Sequence, residues 1–287
     1  MKTGVSMNTF HQVSLPQGTV RYLDEGTGPT LVFVHGILVN SLLWRKVIPL
    51  LSERFRCVAP DLPLGAHSIP LHPNADVTPP GVARLVADFL EALDLREVTL
   101  VGNDTGGAIC QLVIARHPER IARLVLTNCD AFEAFFPPSV QPFHYGARLL
   151  GTGFVALLAW LLRSRSAQRR MAKTLSYSHI EDAVLDAYFV PLRQRGVRRD
   201  LTRFLQAVSN RYTLEAAQTF PQFAHPVLLL WAKNDPFFPA KLAEHLQETF
   251  PDATLEFLDR SRAFIPEDQP EALARRIEAF ALAPINT

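Results

Sequence analysis

The sequence predicts an α/β protein, a mostly parallel sheet flanked by helices and interrupted by a helical lid. Three observations predict it. Short apolar, β-rich runs alternate with segments of helical periodicity, the pattern of strands joined by crossover helices. That alternation lapses between Asp130 and Pro226. Finally, the strand-like run "VTLVG" stops at a tight turn, "NDTGG", from which a helical pattern begins at once.

Taken in order, "TFHQVSL" and "TVRYLDEG" read as two strands joined by a "PQG" turn. "TLVFVHG" is a continuous apolar strand, as expected where both faces of a sheet are covered. A helical stretch is expected near Leu42–Leu51, then the strand "RCVAPD" and the helix "GVARLVADFLEALD" leading into "VTLVG". "ARLVLTNCD", "PVLLLWAKND" and "TLEFLD" supply the later strands, and "PEALARRIEAFAL" makes a closing amphipathic helix. These elements assign residues 1–130 and 221–287 to the core. Residues 131–220 are helical and rich in aromatics and arginine. Connections of that length inside a compact domain are normally functional lids or small subdomains, so this segment is expected to be a lid. Its "RSRSAQRR" run reads as a solvated helix face.

Composition narrows the function classes. Of the 287 residues 48% are hydrophobic and 20% charged, which suits a globular chain with a sizeable core. A formal net charge of +1 steers the molecule as a whole neither to nucleic acid nor to an anionic membrane. "MKTGVSMNTFHQVSL" has no apolar core of a secretory signal. Cys57, Cys110 and Cys129 lack metal-ligand spacing and read as reduced core residues of a cytoplasmic protein. The longest apolar run, "GTGFVALLAWLL", is too short to span a bilayer. Neither a metal nor a cofactor is expected, and the oligomeric state is left open.

The turn carries the chemistry. Gly102-x-Asp104-x-Gly106 follows a strand and opens a helix, so the glycines permit close packing while the central side chain is pushed out above the sheet. The helix beginning near Thr105 aims its free N–H groups at the same spot and favours an ionised carboxylate at neutral pH. An aspartate there can also be a plain N-cap. Upstream lies "VFVHG"; downstream lie "APDLPLGAHS", "LLLWAKNDPFFP" and "FIPEDQPEAL". With these motifs in this order, the chain resembles the α/β-hydrolase superfamily from roughly Val20 to Ala283. The carboxylate at the elbow resembles the branch with an aspartate nucleophile: haloalkane dehalogenases, fluoroacetate dehalogenases and epoxide hydrolases. The resemblance implies a small or medium apolar substrate and a covalent ester on Asp104 that water later hydrolyses. It implies an oxyanion hole from the N–H groups of Ile37 and Thr105, shaped by His35 and Gly36. Asp235, or alternatively Asp130, would be the acid that orients a histidine.

That histidine is missing. The family places it before the aromatic of "HF", and the slot here, in "DRSRAFIPE", is Ala263, by natural loss or by an engineered substitution. Loss of a triad base costs orders of magnitude in rate, so hydrolysis of the ester is expected to be impaired or absent. His67 and His144 are the candidates to stand in, whereas His225 precedes a strand and His245 sits in a helix. No subfamily fits fully. Trp44 resembles the dehalogenases, but Ile37 and Thr105 replace their halide-binding residues. Tyr145, Tyr177 and Tyr188 lie in the lid, where epoxide hydrolases use two tyrosines to protonate the opening oxygen. Two alternatives remain: a cofactor-free lyase or isomerase with Asp104 as general acid/base, and a non-catalytic ligand-binding member of the fold.

Overall fold

The computed structural model describes residues 10–284. Residues 1–9 and 285–287 of the expected core, and with them most of the N-terminal stretch in which no secretory signal is expected, lie outside the described residues.

Eight strands form one sheet in the order β1-β2-β4-β3-β5-β6-β7-β8. They are β1 (Phe10–Leu15), β2 (Gly18–Glu25), β3 (Thr30–Val34), β4 (Arg56–Pro60), β5 (Val98–Asp104), β6 (Ile121–Cys129), β7 (Val227–Ala232) and β8 (Ala253–Leu258). The hairpin β1–β2 and the β2–β4 pair are antiparallel, and every later pairing is parallel. The central strands are buried on both faces, which is why they read as unbroken apolar runs. Edge strand β8 mixes polar with apolar residues and is only partly covered until Leu258.

Twelve α-helices accompany the sheet among the described residues. The expected helix near Leu42–Leu51 is instead a 3₁₀ turn over Ser41–Trp44 and a single α-turn, α1 (Ile48–Leu51). Pro49 has no N–H to bond back to Arg45, so a helix can begin there but cannot run through. Helix α2 (Pro79–Ala92) opens on Thr78, whose hydroxyl accepts from the Gly81 N–H at 3.2 Å, with prolines in its first turn. Its buried face, including Val82, Leu85, Val86 and Phe89, lies against the core and against α3 (Thr105–Arg116).

Six helices separate β6 from β7: α4 (Gln141–Leu150), α5 (Thr152–Leu161), α6 (Arg165–Leu175), α7 (Asp182–Phe189), α8 (Arg195–Ala207) and α9 (Asn210–Ala217). The last of these packs on α3 beside the sheet. The chain then closes through α10 (Ala240–Thr249), α11 (Ile265–Asp268) and α12 (Pro270–Leu282). Cys57, Cys110 and Cys129 are buried and unbridged. No described helix is long and apolar enough to cross a membrane.

Candidate active site

Where β5 runs into α3, Asp104 holds φ 55° and ψ −134°, a conformation that L residues rarely adopt. Backbone held this way costs about 1–3 kcal/mol and persists only where the surroundings enforce it. The glycines enforce it here: a Cβ on Gly106 would collide with the Val34 and His35 carbonyls, and one on Gly36 with the Asp104 carboxylate. The loop after β3 is thereby pressed onto the elbow. Ile37 N–H donates to Asp104 Oδ2 at 3.1 Å, and the Thr105 N–H donates to the same carboxylate.

Those donors do not decide the charge. Burial pushes the Asp104 pKa up to about 7, against the two N–H groups, and the Asp235 charge adds to the rise. The expectation of a fully ionised carboxylate at neutral pH is therefore corrected, because desolvation outweighs the helix terminus.

Asp130 is fully buried just past β6. Its Oδ2 accepts from the Thr105 hydroxyl at 3.2 Å, while Oδ1 has no partner. Burial, then the neighbouring Asp104 charge, hold its carboxyl well above the usual range, which favours its neutral form. Asp235, beyond β7, accepts from the Phe237 and Phe238 N–H groups at 2.7 and 3.2 Å and from Asn128 Nδ2 at 2.7 Å. Burial raises its pKa to about 6 against these donors. Arg260 and Arg262 form no ion pair with it. Arg262 instead lies over the Tyr177 ring, 4.2 Å from the centroid, and donates to the Lys173 carbonyl.

Ala263 is wholly buried, and its carbonyl accepts from Asn103 Nδ2 at 2.7 Å, which also reaches the Thr127 hydroxyl at 2.9 Å. Asn103→Ala would strand that carbonyl in a dry interior and is expected to lower stability by about 1–3 kcal/mol, read by thermal denaturation. Neither Asn103 nor Asn128 was singled out in the sequence. The available signal was polarity inside otherwise apolar strand runs, "VGND" and "LTNCD".

An apolar cavity of about 190 Å³ opens at Asp104, lined by Ile37, Leu38, Thr105, Asp130, Phe136, Phe143, Met171, Leu175, Phe237 and Phe238 among others. None of the expected histidines lines it. His35 donates from Nδ1 to the Gly36 carbonyl and accepts the Leu62 N–H on Nε2, both at 2.8 Å; burial holds it neutral, with a pKa of about 4. His67 pairs with Asp200 of α8 at 3.3 Å, and His144 Nδ1 bonds the Leu205 carbonyl at 2.7 Å beside a separate surface groove. Of the other proposed pocket residues, Trp44 is a core side chain packed on Phe33. Tyr145 and Tyr177 are solvent-exposed, against the expectation that lid tyrosines face the substrate. Only Tyr188 comes near, lining a small adjoining void with its hydroxyl unpartnered.

A sheet of this order, with a strained carboxylate elbow at its centre, defines a recognisable class. The family profile described as alpha/beta hydrolase fold matches residues 29–270, and the chain belongs to that family. It is 29% identical to haloalkane dehalogenase 2 of Mycobacterium tuberculosis (strain ATCC 25618 / H37Rv), over 91% of each chain. It is also 29% identical to a cis-3-alkyl-4-alkyloxetan-2-one decarboxylase of Xanthomonas campestris pv. campestris, over 92% of this chain and 93% of that one. In fold it is similar to haloalkane dehalogenase DbeA from Bradyrhizobium elkani (TM-score 0.79, 19% identity, covering 95% and 97% of the two chains). The epoxide hydrolase CorEH is similar as well (TM-score 0.79, 21% identity, 95% and 98%).

Proposed function

We propose that this chain is a cofactor-free enzyme of the α/β-hydrolase family that acts on a small or medium apolar electrophile through Asp104. Residues 131–220 act as its lid. The carrying observation is the Asp104 carboxylate at the floor of an apolar cavity, with the Ile37 and Thr105 N–H groups on it. The Ile37 N–H holds Oδ2, and on this reading Oδ1 attacks an electrophilic carbon as the bond to the leaving atom breaks. In the resulting ester the held oxygen is the carbonyl, and the same donors stabilise the oxyanion of its later hydrolysis. Where the leaving atom is an oxygen, the Asp130 carboxyl, which lines the same cavity and whose neutral form burial favours, is placed to supply the proton. Hydrolysis then needs a base on water. Ala263 is none, and the buried histidines are committed elsewhere. The enzyme accordingly stalls as the ester.

Exposure to terminal epoxides, alkyl halides and strained lactones tests this directly. The reagent's mass should appear on the peptide containing Asp104, at one equivalent per chain and without continuing product release. Absence of any adduct with all three classes would reject the nucleophile.

A second reading is favoured by one observation, the Asp104 pKa of about 7, which suits a general acid/base. On that reading the chain is a lyase or isomerase, in keeping with its similarity to a decarboxylase. Steady product with an unmodified Asp104 would select it.

A further inference from the structure

From residue 134 to residue 180 the chain contains no aspartate or glutamate, yet it carries six cations: Arg148, Arg163, Arg165, Arg169, Arg170 and Lys173. This happens in a protein of net charge +1. The same stretch holds most of the large apolar side chains that the structure leaves in solvent. Leu149 is 83% exposed, Leu150 58%, Leu157 51% and Trp160 62%. Helix α5 has no charged residue, and Val155 is its only fully buried side chain. Within α5, positions 153, 157, 160 and 161 recur at helical spacing, so they form one outward stripe, and glycine at 153 leaves it open; Leu149 and Leu150 add exposed apolar surface at the end of α4. A contiguous apolar surface rimmed by polar groups marks a binding face on a monomer.

We propose that α4, α5 and α6 form a docking face for an anionic lipid surface, on which the protein lies without crossing it. Charge selects this occupant. Arg165 and Arg169 are paired with Asp182 and Asp186, but Arg148, Arg163, Arg170 and Lys173 have no acidic partner among the described residues. A symmetric contact with a second copy would set this cationic rim against itself. A negatively charged leaflet attracts it, while leucines and a tryptophan enter the headgroup boundary. A groove of about 680 Å³ lined by Arg169, Arg170, Lys173, Ser178 and His179 is open for headgroup phosphates. The same helices reach the cavity from within, through Phe143 of α4 and Met171 and Leu175 of α6. Lipid-dissolved substrate would thus arrive at the lid, a corollary that rests on the reading of Asp104; the docking itself does not.

Trp160 is a built-in reporter, since Trp44 and Trp231 are fully buried. Full-length protein should show a blue shift of tryptophan emission with phosphatidylglycerol-containing vesicles in low salt. The shift should be far smaller with phosphatidylcholine alone and reversed by high salt. R163Q/R170Q should weaken partitioning about thirtyfold at an unchanged circular dichroism spectrum, and Leu157→Asp should abolish insertion. Two results would overturn the proposal. One is folded protein that ignores anionic vesicles. The other is a blue shift that grows with protein concentration alone and coincides with a dimer in sedimentation, which would assign the face to a second copy. Adduct formation at Asp104 is measured separately, so the two readings fail independently.

Discussion

Ala263→His is expected to turn a single covalent event into repeated turnover, raising steady product formation by about 10²–10⁴-fold, the ordinary contribution of a positioned general base. Recovery should stop short of a native triad. In this chain Asp235 Oδ2 already accepts from Asn128 Nδ2, so if Asp235 is the acid that an imidazole at 263 turns to, that oxygen is already engaged. Asn128 cannot simply be removed, because its Oδ1 accepts the Ala232 N–H at 2.6 Å and holds the end of β7. The measurement is product released per chain over many turnovers, alongside the fraction of the Asp104 peptide still modified. Asp104→Asn in the same background should eliminate both signals. If A263H melts like the parent and still stops after one equivalent, ester hydrolysis is limited by something other than the base.

The second large effect is with pH, and the two observables should move in opposite directions. On the proposed mechanism Asp104 attacks only as the carboxylate, so adduct formation should rise with pH through about 7 and level off above it. Stability runs the other way. The folded-state pKa values of about 7 for Asp104 and about 6 for Asp235 lie above the unfolded value. Between about 4 and 7 the folded chain therefore binds more protons than the unfolded one, and the contribution of these groups is lost as pH rises across that window. Asp104→Asn removes the larger part. It should stabilise the protein by a few kcal/mol at neutral pH and by little near pH 4, with Asp130 changing in the same sense once its neighbour's charge is gone. A denaturant midpoint for D104N that matches the parent at both pH values would show that Asp104 is not desolvated in solution.

Much of this architecture is legible in the sequence, and the failures are physical ones. Strand runs that are apolar on both faces announce a covered parallel sheet, and β3, β5, β6 and β7 lie where those runs are. The region around Pro49 misleads because apolar spacing alone ignores the missing donor. At the site, the Asp104 elbow is legible because glycines on either side have no other use in a buried strand–helix junction. Trp44, Tyr145 and Tyr177 fall outside the cavity because a family resemblance assigns a residue to a place in the chain, not to the neighbours its side chain meets. Asn103 and Asn128 are invisible for a related reason. Their partners, Ala263 and Asp235, lie over a hundred positions away, and a lone amide in a strand gives no hint of so distant an acceptor.

Two separate sets are among the hydrogen bonds that hold the proposed lid, residues 131–220, in place. Helices α4 and α8 are joined through His144 to the Leu205 carbonyl and Gln206 to the Ala147 carbonyl. Asp200 and Arg203 then fasten α8 to the loop after β4, at Leu71 and Pro73. The C-terminal end of α6 is stapled elsewhere, with Leu175 O accepting the Phe264 N–H and Asp268 accepting from Ser176 and Ser178. Among the described residues no hydrogen bond joins α4 to α6, and the Asp104 cavity lies between Phe143 on one and Met171 on the other. The roof is thus a pair of leaves meeting at an apolar seam, each with its own hinge post. Such a seam can part and close by sliding greasy side chains, leaving both sets of anchors intact. The leaf built on α6 is fixed to the segment carrying Ala263, so any swing of that leaf moves Ala263 along with it.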